Sequence, residues 1–189
     1  MIKIGILGDI GSGKSYVAKN FRHLVFNADV EVSRLYKKDR RVFNKLKKTL
    51  PKFIFSFPID KNEISKAILS NKSNLKKIVT IVHLEIRKKL YLFLKKNTNK
   101  KIVILDIPLL LENKLNKKND ILVFVQSKKS DITKRLKKRA NFNPRLLNKF
   151  KTIQLSLDYK KKKSQFIIKN NFTKKSVKRG IMSIIKNIL

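Results

Sequence analysis

Gly8-Asp9-Ile10-Gly11-Ser12-Gly13-Lys14-Ser15 is a complete Gly-x-x-x-x-Gly-Lys-Ser stretch, the pattern of a phosphate-binding loop. Ile2-Lys3-Ile4-Gly5-Ile6-Leu7 precedes it and reads as a short buried strand; Tyr16 to Phe21 follow and can continue as a helix. Strand, glycine-rich loop and helix are the context the motif needs. The glycines let the backbone curl so that several amides face a phosphate chain, and the helix start adds partial positive charge there. Lys14 has the reach for the terminal phosphates, and the Ser15 hydroxyl suits Mg²⁺. The rival Gly-x-Gly-x-x-Gly dinucleotide pattern fails, because Gly11 and Gly13 are followed by Tyr16 where a third glycine belongs. The stretch therefore points to a nucleoside triphosphate, and the open matter is what receives the phosphate.

Outward from the loop, the rest of the chain alternates strands and helices. Val25-Phe26 reads as a second strand ending at Asn27-Ala28-Asp29, with a helix from Val30 to Lys38. Val42, Phe43, Leu46 and Leu50 have helical spacing, and Pro51 closes that helix. Phe53, Phe55 and Phe57 are expected to pack inside. Asp60-Lys61-Asn62-Glu63 has the form of a capping box opening a helix through Leu69. Leu75, Ile78, Val82, Ile86, Leu90 and Phe93 mark one face of a long helix from about Asn74 to Lys96.

Ile102 to Leu105 and Ile121 to Val125 are continuous apolar runs, as in strands buried on both faces of a parallel sheet. Ser130 is placed to cap a helix from Asp131 to Arg139. After the polar break at residues 140–143, Pro144 opens a helix expected to reach about Tyr159. Phe166 to Ile168 is a last strand, and Ser176 to Leu189 a closing helix. The run Lys160 to Lys163 reads as a solvated face. This alternation is the signature of an α/β fold with a parallel sheet. The roughly seventy largely helical residues before Ile102 exceed a simple crossover, which points to an inserted substrate-binding subdomain.

Composition narrows the function further. The chain has 189 residues, no cysteine, and 48 Lys plus Arg against 12 Asp plus Glu, a formal charge of +36. Disulfides, cysteine-ligated zinc and thiol catalysis are excluded. No apolar run approaches a membrane span and the N-terminal run is too short for a signal peptide, so a soluble, cytoplasmic protein without a membrane partner is expected. A charge of this size suits a polyanion partner. It also suits a general bias toward Lys, Asn and Ile; the lysines are spread along the chain, and no specific nucleic-acid partner is expected.

Taken together, these motifs resemble the dephospho-CoA kinase family, a P-loop kinase family, over essentially the whole chain. The resemblance rests on Gly8 to Ser15, on Asn27-Ala28-Asp29 where the family has Asp-Ala-Asp, and on His83-Leu84-Glu85-Ile86-Arg87. It rests also on Asp106-Ile107-Pro108-Leu109-Leu110-Leu111-Glu112, on Arg135, Arg139 and the later Gln154, and on Ile168-Lys169-Asn170. The departures are Asp9 for a loop glycine, Asn27 for the first aspartate, Leu84 for a proline, and Tyr16 where threonine is common. The resemblance implies transfer of the ATP γ-phosphate to the ribose 3′-hydroxyl of dephospho-CoA, giving CoA and ADP. It implies a P-loop kinase core with a five-stranded parallel sheet flanked by helices (about 1–29, 100–130 and 164–189), a helical CoA-binding insert (about 30–99) and a lid (about 131–163).

The site residues follow. Gly11, Ser12, Gly13, Lys14, Ser15 and Tyr16 are expected to hold ATP. Ser15 and Asp106 are candidates for Mg²⁺, although a strand-end cap or an ion pair accounts for Asp106 equally well. Asp29 is the candidate general base, its alternative being a helix cap. Arg135 and Arg139, four apart on a helix, are candidate clamps on the transferring phosphate, with Arg139 taken as catalytic beside Lys14. The resemblance makes Asp29, His83, Arg87, Pro108 and Leu109 candidates for holding the acceptor.

Overall fold

A computed structural model describes residues 1–140 and 142–189, and these divide into two compact units. One comprises Met1–Asn27, Asn97–Phe142 and Gln154–Leu189; the other comprises Ala28–Lys96 and Asn143–Ile153.

The first unit is built on a parallel five-stranded sheet in the order β2-β3-β1-β4-β5. Its strands are β1 (Ile2–Gly8), β2 (Leu24–Asn27), β3 (Ile102–Asp106), β4 (Ile121–Gln126) and β5 (Phe166–Lys169). Ile4, Ile6, Ile104, Val123, Val125 and Ile168 are buried in the sheet. Val17 and Ala18 of α1 (Lys14–Asn20) and Val177, Ile181 and Ile184 of α9 (Lys174–Ile188) cover them. β1 is central, so the loop that follows it opens at the carboxyl edge, where ligands of such sheets bind. Leu110 is also fully buried, and a Cβ on Gly5 would come within 2.5 Å of its Cδ2. Glycine in β1 thus lets the loop after β3 seat directly on the central strand.

The second unit is helical: α2 (Ala28–Lys38), α3 (Arg40–Thr49), α4 (Lys61–Ser70), α5 (Lys72–Lys96) and α7 (Pro144–Lys151). Val42, Phe43, Leu46 and Leu50 are buried as their spacing predicts, and so are Leu75, Ile78, Val82, Ile86 and Leu90 of α5. Asp39 caps α3 by accepting from the amides of Arg41 and Val42, and Asn143 caps α7 by accepting from Leu146, with Pro144 at the first helical position.

Several expectations require correction. α2 begins at Ala28, which puts Asp29 inside its first turn. The capping box is half formed: Asp60 accepts from Asn62 N, but Glu63 turns inward and accepts from the amides of Phe55 and Ser56 at 3.1 and 3.2 Å. That orphaned loop backbone is a better use of a buried carboxylate than a helix end open to water. Phe55 is exposed, while Phe57 lies against Phe43 with ring centroids 5.4 Å apart.

The helix after β4 is α6 (Lys129–Lys137), so Ser130 lies within it and Arg139 beyond its end; Arg135 and Arg139 do not share a helix face. The helix from Pro144 stops at Lys151, and a separate turn, α8 (Leu157–Lys162), follows with Ser156 as its cap. In the lysine run, Lys161 to Lys163 are exposed as expected but Lys160 is 1% exposed. Asn141, in the polar break, lies outside the described residues.

Candidate active site

The phosphate loop is held open by a backbone that few residues other than glycine adopt. Gly13 has φ 91°, and a Cβ there would meet the Asn170 amide nitrogen at 2.5 Å. Asn170, buried at the end of β5, donates to the Ser12 carbonyl at 2.8 Å, and the Ser127 hydroxyl donates to the same oxygen at 3.0 Å. Two side chains beyond neighbouring strands thus clamp that carbonyl. Ser127 is a support that no motif marks.

Lys14 Nζ donates to the carbonyls of Asp9 at 2.7 Å and Gly8 at 3.2 Å, curling back over the loop it belongs to. Asp9 keeps its carboxylate on the loop: its Oδ1 accepts from Ile10 N at 2.7 Å. This places a negative charge inside the phosphate loop. α1 has only seven residues, so phosphate attraction rests mainly on the loop amides and Lys14. Tyr16, in the first turn of α1, is exposed.

β2 and β3 end side by side, with Asn27 in register with Asp106. Asn27 Nδ2 donates to Asp106 Oδ2 at 2.5 Å, and the Ser15 hydroxyl donates to the same carboxylate. Asp106 is 3% exposed. Burial pushes its carboxyl above the ordinary aspartate value; the Ser15 hydrogen bond, the Lys14 charge, the Asn27 hydrogen bond and the Lys19 charge each pull it part of the way back. A buried carboxylate joined to a serine hydroxyl is an all-oxygen donor set beside the phosphate loop, which fits Mg²⁺. Among the described residues, no group of three or more His, Cys, Asp or Glu forms a separate metal site.

In the loop after β3, Pro108 and Leu109 are half-buried. Arg135 lies on α6 with its guanidinium 4.3 Å from the centre of the Phe172 ring, and Arg139 is exposed just past the helix. Gln154 meets Glu112 through Lys160: Lys160 Nζ lies 2.7 Å from Glu112 Oε1 and donates to Gln154 Oε1 at 2.9 Å.

The dephospho-CoA kinase family model matches residues 2–176. The chain belongs to the dephospho-CoA kinase family. A dephospho-CoA kinase of Wolbachia pipientis wMel is 34% identical over 190 residues, covering 98% of this chain and 97% of its own. Among solved structures, a Thermus thermophilus protein superposes with a TM-score of 0.79 at 23% identity, covering 100% of this chain and 98% of its own. A dephospho-CoA kinase from Campylobacter jejuni gives 0.63 at 21% identity, covering 98% and 96%. These two likenesses concern the fold, which is that of P-loop kinases. The family's reaction is ATP-dependent phosphorylation, the last step of coenzyme A biosynthesis.

The helical unit holds the remaining candidate residues. Asp29 is exposed in the first turn of α2, where the helix dipole favours negative charge. It borders a cavity of about 200 Å³ whose other walls include Tyr36, Ile64, Ile68, Leu146 and Phe150. His83 is half-buried and Arg87 exposed on α5, one helical turn apart. The cavity walls went unnoticed in the sequence, because apolar residues at helical spacing look the same whether they face a core or a pocket.

Proposed function

We propose that this chain phosphorylates the ribose 3′-hydroxyl of dephospho-CoA with ATP and Mg²⁺, each role below falling to a named side chain. The observation that carries the reading is the constellation at the sheet edge: a curled phosphate loop with Lys14 over it, and a buried Asp106 joined to Ser15 and Asn27.

The amides of Gly11, Ser12, Gly13, Lys14 and Ser15 receive the phosphates. Lys14 exchanges its contacts with the Gly8 and Asp9 carbonyls for the β- and γ-phosphates. Tyr16, at the open rim of α1, borders the nucleotide. Ser15 and Asp106 would hold Mg²⁺, which would supply neutralisation of charge on the transferring group. The acceptor hydroxyl oxygen bonds to the γ-phosphorus, the bond from that phosphorus to the bridging oxygen breaks, and ADP leaves with its electron pair. Asp29 takes the hydroxyl proton. Arg139, exposed just past the end of α6, meets the transferring phosphate when the nucleotide is enclosed, and Arg135 is the second candidate clamp.

On the acceptor side, the cavity at Asp29 is large enough for a nucleobase-sized group and is mostly apolar in its walls, which supports binding of the acceptor's uncharged part beside the reacting ribose. Arg87 suits the acceptor's phosphates, His83 supports it, and Pro108 and Leu109 form an apolar contact. The units described above support a working division: residues 1–27, 97–142 and 154–189 as nucleotide-binding core, and 28–96 with 143–153 as acceptor-binding part, the lid expected at about 131–163 drawing residues from both. The charge of +36 then speeds encounter with two anionic substrates and needs no specific nucleic acid. No helix among the described residues is long and apolar enough to cross a membrane, and a cytoplasmic site of action agrees with the pathway step.

Release of ADP, followed with dephospho-CoA, AMP, shikimate and duplex DNA in turn, tests the reading. Turnover with dephospho-CoA well above the other three is expected; preference for another acceptor would overturn it.

A further inference from the structure

Among the described residues Lys160 is the largest fully buried side chain, in a chain whose other lysines lie mostly in water. Burying an ammonium is costly unless a partner answers it. Here Glu112 Oε1 takes both Lys160 Nζ at 2.7 Å and Leu155 N at 3.0 Å, while Lys160 also donates to Gln154. Among the described residues, Glu112 Oε2 is buried with no hydrogen-bond partner, and Lys160 is the cation paired with this carboxylate. α8 is fixed in turn by the Ser156 cap at its start and by the Ser164 hydroxyl on the Lys160 carbonyl at its end.

Three pieces of chain meet at this ammonium. Glu112 closes the loop that runs on from Asp106 and is seated on β1 through Leu110. Gln154 and Leu155 are the first residues back in the sheet unit after α7. Lys160 belongs to α8. We propose that Lys160 is a positioning residue for phosphoryl transfer: through Glu112 and Gln154 it fixes the Asp106–Glu112 loop to the returning end of the α7 segment. The returning chain then has a fixed root at Gln154 and Leu155, and the loop carrying Pro108 and Leu109 keeps its place. Which reaction is positioned rests on the function proposed above; the network itself does not.

Three variants test it by kcat, KM for ATP and Tm. Lys160→Met strands the carboxylate, so Tm should fall by roughly 6 °C or more. Glu112→Gln/Lys160→Met removes both charges and should regain most of that Tm while kcat stays about tenfold or more below wild type, since small misplacements near a reacting group carry such losses. Gln154→Ala spares the ion pair and should lower kcat several-fold with Tm and the ATP KM nearly unchanged. If Lys160→Met fails to fold, the other two decide. A double variant that regains turnover together with Tm shows a purely structural ion pair and overturns the proposal, as does full turnover in Gln154→Ala. Wild type without turnover on dephospho-CoA would refute the functional reading instead. Amide exchange at Leu155 then decides the network, faster exchange in Lys160→Met being expected and unchanged exchange overturning it.

Discussion

Asn27 and Asp106, seventy-nine residues apart in sequence, are joined by a side-chain hydrogen bond of 2.5 Å at the ends of adjacent strands. The amide at position 27 donates where a second carboxylate would repel, and so supports the ionised form of a buried Asp106.

This has a consequence for pH. The ionised carboxylate is the form that suits Mg²⁺, and burial raises its pKa. Turnover should therefore fail on the acid side at a higher pH than an ordinary aspartate would set. Asn27→Ala removes a bond that favours ionisation, so at fixed Mg²⁺ the acid limb of kcat should move to higher pH. A limb that stays in place or moves lower would contradict the assignment.

Asp9 brings a carboxylate into the phosphate loop, held on Ile10 N. Two like charges about 4 Å apart repel by about 1 kcal/mol even at bulk-water dielectric. Asp9→Gly should thus tighten ATP, lowering its KM roughly fivefold. An unchanged or higher KM would mean that the carboxylate organises the loop more than it opposes the nucleotide.

Tyr36 gives a stability test in the helical unit. Burial raises its phenol from 10.0 to about 12. The unfolded chain then loses this proton first as pH rises, so the folded state is progressively disfavoured as pH rises through those values, by a total that approaches about 2.7 kcal/mol above the upper one. Many lysines titrate in the same window, so the measurement is a difference. Tyr36→Phe should lose less stability than wild type between pH 10 and 12 in denaturant titrations. Equal losses would show that the phenol reaches water.

On the proposed reading Asp29 takes the proton of the acceptor hydroxyl. Asp29→Asn keeps the shape of the first turn of α2 and removes a charge worth about 0.3–1 kcal/mol to the helix. Turnover should drop roughly 10²–10⁴-fold with Tm little changed. Near-full activity with dephospho-CoA would make Asp29 a helix residue only and send the search for the base elsewhere.

Residues that act through local chemistry were legible in the sequence. Gly8 to Ser15 names its own loop, and the apolar runs at Ile102 and Ile121 name strands buried on both faces. What escaped depends on partners distant in the chain. Lys160 looks like Lys161 until Glu112 arrives from another segment, and Glu63 looks like half of a capping box until Phe55 and Ser56 need acceptors. Arg139 carried a helical spacing from Arg135, but α6 ends two residues earlier. Asn27 stood out only as a departure, because a hydrogen bond between strand ends has no periodicity to reveal it.

The central claim is the identity of the phosphorylated atom. Purified protein should be incubated with ATP, Mg²⁺ and dephospho-CoA, and the product examined by ³¹P NMR and mass spectrometry. The account predicts one new phosphomonoester on the ribose 3′-oxygen, giving CoA in equal amount to ADP. ADP formed without CoA, or phosphate carried on any other atom of the acceptor, would contradict it.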